Sequence, residues 1–109
     1  MLYKNEFGPD FNLGFNLEDY PYLIDKSWHN DVSPSFYFNF GSQYYVLWVD
    51  YPEAAKRENT NSRYLIQKAT NEADEVQPEI YCSDGDIIFE NELIVNLNHF
   101  LVSLGDTHM

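Results

Sequence analysis

The chain has 109 residues, 18 acidic and six basic, giving a formal charge of −12, and 17% of it is aromatic (nine Tyr, eight Phe and two Trp). At this length a single domain, residues 1–109, buries roughly two-thirds of the surface of its unfolded chain without staples, and so many aromatics exclude an acidic disordered segment. Six basic side chains cannot neutralise a phosphate backbone, so direct nucleic-acid binding is excluded and the chain itself carries the charge of a polyanion.

Met1 to Asp10 is mixed and polar, without the charged leader and apolar run of a secretory signal, and the expectation is a cytoplasmic chain. A single Cys82 fits a reducing compartment. The first 19 residues show no clear period and are left unassigned; Tyr20–Asp25 and Trp28–Pro34 read as irregular or edge-like. Ser35 to Phe40 alternates, with Phe36, Phe38 and Phe40 on one face of a half-buried strand. Gly41-Ser42-Gln43 turns the chain into Tyr44–Tyr51, apolar on both faces, as in a central strand covered on both sides. Pro52 ends it, Glu53–Ser62 is a surface loop or one helical turn, and Arg63–Ala69 is a third strand. Asn71–Gln77 is turn-like, and a fourth strand covers Glu79–Ser83. The period then changes to that of a helix, with Leu93, Leu97, Phe100, Leu101 and Leu104 forming one stripe between an Asn91 cap and a terminating Gly105. The expected fold is α+β, an antiparallel meander of about four to five strands with a C-terminal helix packed on one face. The apolar part of that helix is too short to span a membrane.

Candidate chemistry is sparse. His29 and Asp31 in Trp28-His29-Asn30-Asp31 could form a base and its orienting carboxylate for a small hydrolase. No nucleophile or oxyanion donor accompanies them, and Asn-Asp before Ser33-Pro34 reads better as a turn with Trp28 plugging the edge of the core. Asp84-Gly85-Asp86 lacks the later ligands of a calcium loop and reads as a tight turn. Cys82 lies among acids that raise a thiol pKa, which suits a structural cysteine. No metal or cofactor is expected, and no catalytic residue.

The charge is uneven. Residues 1–68 hold nine acidic and six basic side chains (−3), and residues 69–109 hold nine acidic and none basic (−9). With no local cation to pair them, Glu72, Asp74, Glu75, Glu79, Asp84, Asp86, Glu90 and Glu92 repel one another, a cost that a basic partner relieves. Tyr81 and Phe89 interleave with these acids, and tyrosine is a frequent interface anchor.

The segments DYPYLIDKSWHNDVSPSF (19–36), YYVLWVDYPEAAKRE (44–58) and RYLIQ (63–67) together resemble immunity proteins of bacterial contact-dependent growth inhibition systems. The resemblance covers about Asp19 to Tyr81. It implies a cytoplasmic, non-enzymatic protein that binds the toxic C-terminal domain of a cognate effector and blocks its active site or substrate access. Many such domains are basic nucleases, often cutting tRNA. The resemblance implies no contact residue, because these vary with the partner. The charge pattern independently nominates Glu72, Asp74, Glu75, Glu79, Tyr81, Asp84, Asp86, Glu90 and Glu92 as the pool of contacts. The alternative is an acidic nucleic-acid mimic that inhibits another DNA- or RNA-binding protein.

Overall fold

The structure, a computed structural model, describes residues 2–28, 31, 33–57, 62–74, 76–81 and 86–107. A short helix α1 (Leu2–Phe7) and an irregular arm precede a six-stranded antiparallel sheet, and one long helix follows it. The strands are β1 (Ile24–Asp25), β2 (Ser35–Phe40), β3 (Gln43–Val49), β4 (Tyr64–Asn71), β5 (Ile80–Tyr81) and β6 (Ile87–Asn91), and the helix is α2 (Ile94–Thr107). The order is β1-β2-β3-β4-β5, with β6 also paired to β4. β5 meets the end of β4 (Thr70↔Tyr81) and β6 its beginning (Tyr64↔Asn91), so the two share one edge.

The expected meander with a C-terminal helix is present. The β2–β3 turn is Gly41-Ser42, with Gly41 at φ +63° and no positive φ at Ser42, the pattern of a tight hairpin whose first central residue is glycine. The expected strand Arg63–Ala69 starts one residue later and runs to Asn71. Of Glu79–Ser83, Ile80–Tyr81 is strand, and Cys82 and Ser83 lie outside the described residues. The expected helix begins at Ile94 and continues through Gly105. Asn91 is not its cap residue but the last residue of β6, a strand that the helical reading absorbed. Its Oδ1 still accepts the Leu93 N–H at 2.9 Å, so the side chain caps from a strand end. Leu93 is 56% exposed and Ile94 takes its place beside Leu97, Phe100, Leu101 and Leu104 against the core.

The core lies on one face of the sheet. Phe36, Leu47, Ile66 and Phe89 are register partners across four strands, and Phe89 stacks on Phe100 of α2 with ring centroids 4.6 Å apart. The aromatic arm completes this layer. Tyr3 packs edge-on against Phe36, and Tyr22 against Phe38, which stacks on Tyr45. Asp25 fastens α1, its Oδ2 accepting the Tyr3 N–H at 2.9 Å. The unassigned N-terminus is therefore a lid over the same face as α2. Among the described residues no helix packs on the other face, yet β3 has no exposed residue, so neighbouring side chains rather than a second helical layer shelter it there. The reading of Trp28 as a plug of the core edge is corrected, since it is 55% exposed, although the Asp31 N–H does reach the Trp28 carbonyl at 3.0 Å, closing the expected turn.

One buried side chain fixes the arm. Tyr64 is fully buried in β4, and its hydroxyl donates to the Leu13 carbonyl at 2.7 Å. Gly14 follows at φ +85°, so close to the Tyr64 hydroxyl and the Arg63 guanidinium that a Cβ would clash. Tyr64→Phe is expected to cost about 1–2 kcal/mol by leaving that carbonyl without its donor. Gly14→Ala is expected to cost about 1–3 kcal/mol through its backbone conformation and the crowding. Urea unfolding measures both, and two variants as stable as the wild type would contradict this anchoring.

Candidate functional site

The acidic tract lies along the β5–β6 edge and in the loop that leads to it. That loop is built by short polar side chains. Asn71 Oδ1 accepts the N–H groups of Ala73 and Glu79 at 3.0 Å, and Asn71 Nδ2 donates to the Asp74 carbonyl at 3.0 Å. Asp74 Oδ1 accepts from Val76 and Gln77 at 2.9 and 2.7 Å. Asx side chains offer the backbone this kind of local partner, so a polar sequence becomes a defined turn. Glu72 Oε1 accepts from Thr70 Oγ1 at 3.0 Å, and the Glu72 N–H from the far side of the loop reaches the Glu79 carbonyl at 2.8 Å.

Glu72, Asp74, Glu79, Tyr81, Asp86 and Glu90 are all exposed. Glu75 and Asp84 lie outside the described residues. Along the edge, Glu79 precedes β5, Tyr81 is its second residue and 54% exposed, Asp86 precedes β6, and Glu90 lies within it. The Asp86 carbonyl accepts the Lys68 N–H at 2.9 Å, which places Lys68 next to this edge. Even so, among the described residues no ion pair engages Glu72, Asp74, Glu79, Asp86 or Glu90. The edge therefore presents carboxylate oxygens as hydrogen-bond acceptors, beside one tyrosine ring, to whatever approaches it.

Phe89 and Glu92 behave differently from the expectation. Phe89 belongs to the core, as described above. Glu92 is not unpaired: its two carboxylate oxygens take Arg57 Nη1 and Nη2 at 2.9 and 2.6 Å, and Oε1 also accepts the Arg63 N–H at 3.1 Å. The Arg57 side chain is only 5% exposed and also donates through Nε to the Tyr51 carbonyl at 2.7 Å and through Nη2 to the Pro52 carbonyl at 3.3 Å. A two-pronged Arg–carboxylate contact of this kind is among the stronger polar interactions. It ties the loop after β3 to the start of β4 and to the β6–α2 junction. Sequence reasoning missed it because Arg57 and Glu92 are 35 positions apart, and no local spacing connects them.

The remaining candidates do not assemble. His29 lies outside the described residues. Burial raises the Asp31 carboxyl pKa, an effect that the charge of Lys26 opposes. Among the described residues no three His, Cys, Asp or Glu side chains come together as metal ligands, and no helix is long and apolar enough to cross a membrane. No family model matches this chain, and neither a curated protein nor a solved structure matches it.

The clamp has a pH signature. The hydrogen bonds from Arg57 lower the Glu92 pKa below the ordinary glutamate value, and those to Glu92 raise that of Arg57. A depressed carboxylate pKa contributes stability that is fully present above the unfolded value and is lost as pH falls through the folded one. Since Glu92 is half exposed, solvent screens the pair, and Glu92→Gln is expected to cost about 1–2 kcal/mol at neutral pH. Urea melts between neutral pH and about pH 3 should show this gap to wild type closing as the medium becomes acidic. A gap independent of pH would show that the ion pair does not contribute.

Proposed function

We propose that this chain is an immunity protein that binds and neutralises the toxic domain of a contact-delivered effector, a cationic nuclease. The observation that carries the reading is the β5–β6 edge. There Glu79, Tyr81, Asp86 and Glu90 are exposed, and among the described residues the three carboxylates have no ion pair. The likeness of residues 19–36, 44–58 and 63–67 to immunity proteins supports the same reading. A nuclease groove built to hold phosphates offers Lys and Arg donors, and an edge of carboxylates competes for those donors. Long-range attraction steers the encounter, and the Tyr81 ring adds apolar contact within a polar rim. Inhibition of this kind needs no chemistry from the chain itself. It needs only that the edge occupy the groove, so the protein acts in the cytoplasm as a stoichiometric inhibitor and not as an enzyme. Glu92 is committed to Arg57 and is left out of the contact pool, whereas Glu72 and Asp74 extend it around the loop before β5, and Glu75 and Asp84 stay in it on charge alone.

The test is to mix the chain with the toxin domain encoded immediately upstream of its gene and to assay nuclease activity. Stoichiometric loss of activity is expected, and unchanged activity in excess inhibitor would sink the reading. Glu79→Lys/Asp86→Lys is expected to slow association about 10- to 100-fold at low salt, whereas Glu18→Lys, in the N-terminal arm and outside the contact pool, should change it about twofold or less. Equal effects would mean that the edge is not the contact surface.

A further inference from the structure

Directly paired residues of an antiparallel sheet share a face. On the face opposite α2, one register row runs Ile24, Tyr37, Val46, Gln67 and Ile87, from β1 to β6. The neighbouring row holds Ser35, Trp48, Leu65 and Glu90. Lys26 extends that row beyond Ser35: its N–H bonds the Ser35 carbonyl at 2.9 Å, and its Nζ lies over the Trp48 ring at 5.7 Å. Trp48 Nε1 in turn donates to Gln67 Oε1 at 3.0 Å, tying the indole to β4. Val46 is fully buried and Leu65 is 6% exposed, yet neither belongs to the core cluster around α2. The two ends of the first row, Ile24 and Ile87, are 48% and 55% exposed. The row spans roughly 19 Å at the usual strand spacing.

The charge on this face is as specific as its shape. In a chain of net charge −12, the strand residues of this face include one acid, Glu90 at the β6 end, and the cation Lys26 closes the opposite end of the same row. A two-fold axis lying between two such sheets and parallel to their strands reverses the order of the row. It sets Lys26 against Glu90 of the partner subunit at both ends, Ile24 against Ile87 of the partner subunit, and the half-buried Trp48 against its own copy, above a Val46 already buried within each chain. Isologous contacts require this self-complementarity, and face-to-face sheets pack with their strands nearly aligned.

We infer that the open sheet face is a homodimer interface, with a second copy of this chain as its occupant. This inference rests on other residues than the toxin reading: Glu79, Tyr81 and Asp86 lie outside its two rows, and Glu90 alone is common to both surfaces. The two associations also respond oppositely to salt. Screening relieves the repulsion between two acidic copies and weakens the attraction of a cationic partner. Sedimentation of the full chain at high-micromolar concentration tests it. The wild type is expected at about twice the 12.8 kDa chain mass, with association strengthened by added salt. Ile24→Glu and Ile87→Glu should each weaken it about tenfold or more while leaving the melting temperature of the monomer near that of the wild type. Lys26→Glu alone should weaken the dimer, and Lys26→Glu/Glu90→Lys should restore it. A wild-type monomer at every concentration, a dimer that tolerates both isoleucine changes, or a charge swap that fails to restore association would overturn the inference.

Discussion

A five-lane sheet has two faces to shelter, and among the described residues there is one helix long enough to cover one of them. That constraint shapes the rest of the molecule. α2 brings Leu97 and Leu101 onto the Phe36, Leu47 and Ile66 face, and the N-terminal arm must supply aromatics to close the remainder of that layer. Tyr64 makes the closure possible because its buried hydroxyl holds the Leu13 carbonyl and so fixes the arm over the sheet. The second face is left to shield itself with its own side chains, Trp48 and the tyrosines lying around Val46. Its composition follows from that exposure: aromatic rings with polar tips, a glutamine that holds an indole, and few charges.

The same economy divides the acidic residues into two groups with different physics. Glu92 is bound by the enclosed Arg57 and acts as a structural tie among three segments that are remote in the chain. Asp25 and Asp74 use their oxygens on backbone N–H groups and hold a helix start and a turn. Glu79 and Asp86, by contrast, are exposed and have no ion pair among the described residues. The net charge is therefore not spread as a uniform solvated coat; part of it is folded into the architecture, and part is left exposed at one edge.

How much of this was legible in the sequence depended on whether the cause was local. Phe36, Phe38 and Phe40 alternate, Gly41 permits a turn, and Leu97 and Leu101 keep helical spacing, so the meander and its helix were readable. β6 was not. Ile87-Ile88-Phe89 is too short to distinguish strand from helix start, and the register shift near Ile88 breaks its alternation. The arm was unreadable for another reason: its order comes from Asp25, Tyr64 and an aromatic layer formed only after the sheet exists. Apolar residues on both faces of β3 suggested two covering layers, but the pattern cannot distinguish a face covered by a helix from one sheltered by its own Trp48 and tyrosines. The acidic tract could be marked out along the chain by counting charges, whereas the Arg57–Glu92 pair needed the fold to bring its halves together.

The central claim is that the edge carboxylates are uncompensated in the free protein and lower its stability. The salt dependence of the melting temperature, compared between the wild type and Glu79→Gln/Asp86→Asn, measures this directly. The account predicts that the neutralised variant melts higher at low ionic strength, and that added salt raises the wild type more, narrowing the difference. Two curves that coincide at all salt concentrations, or a variant that melts lower, would contradict it.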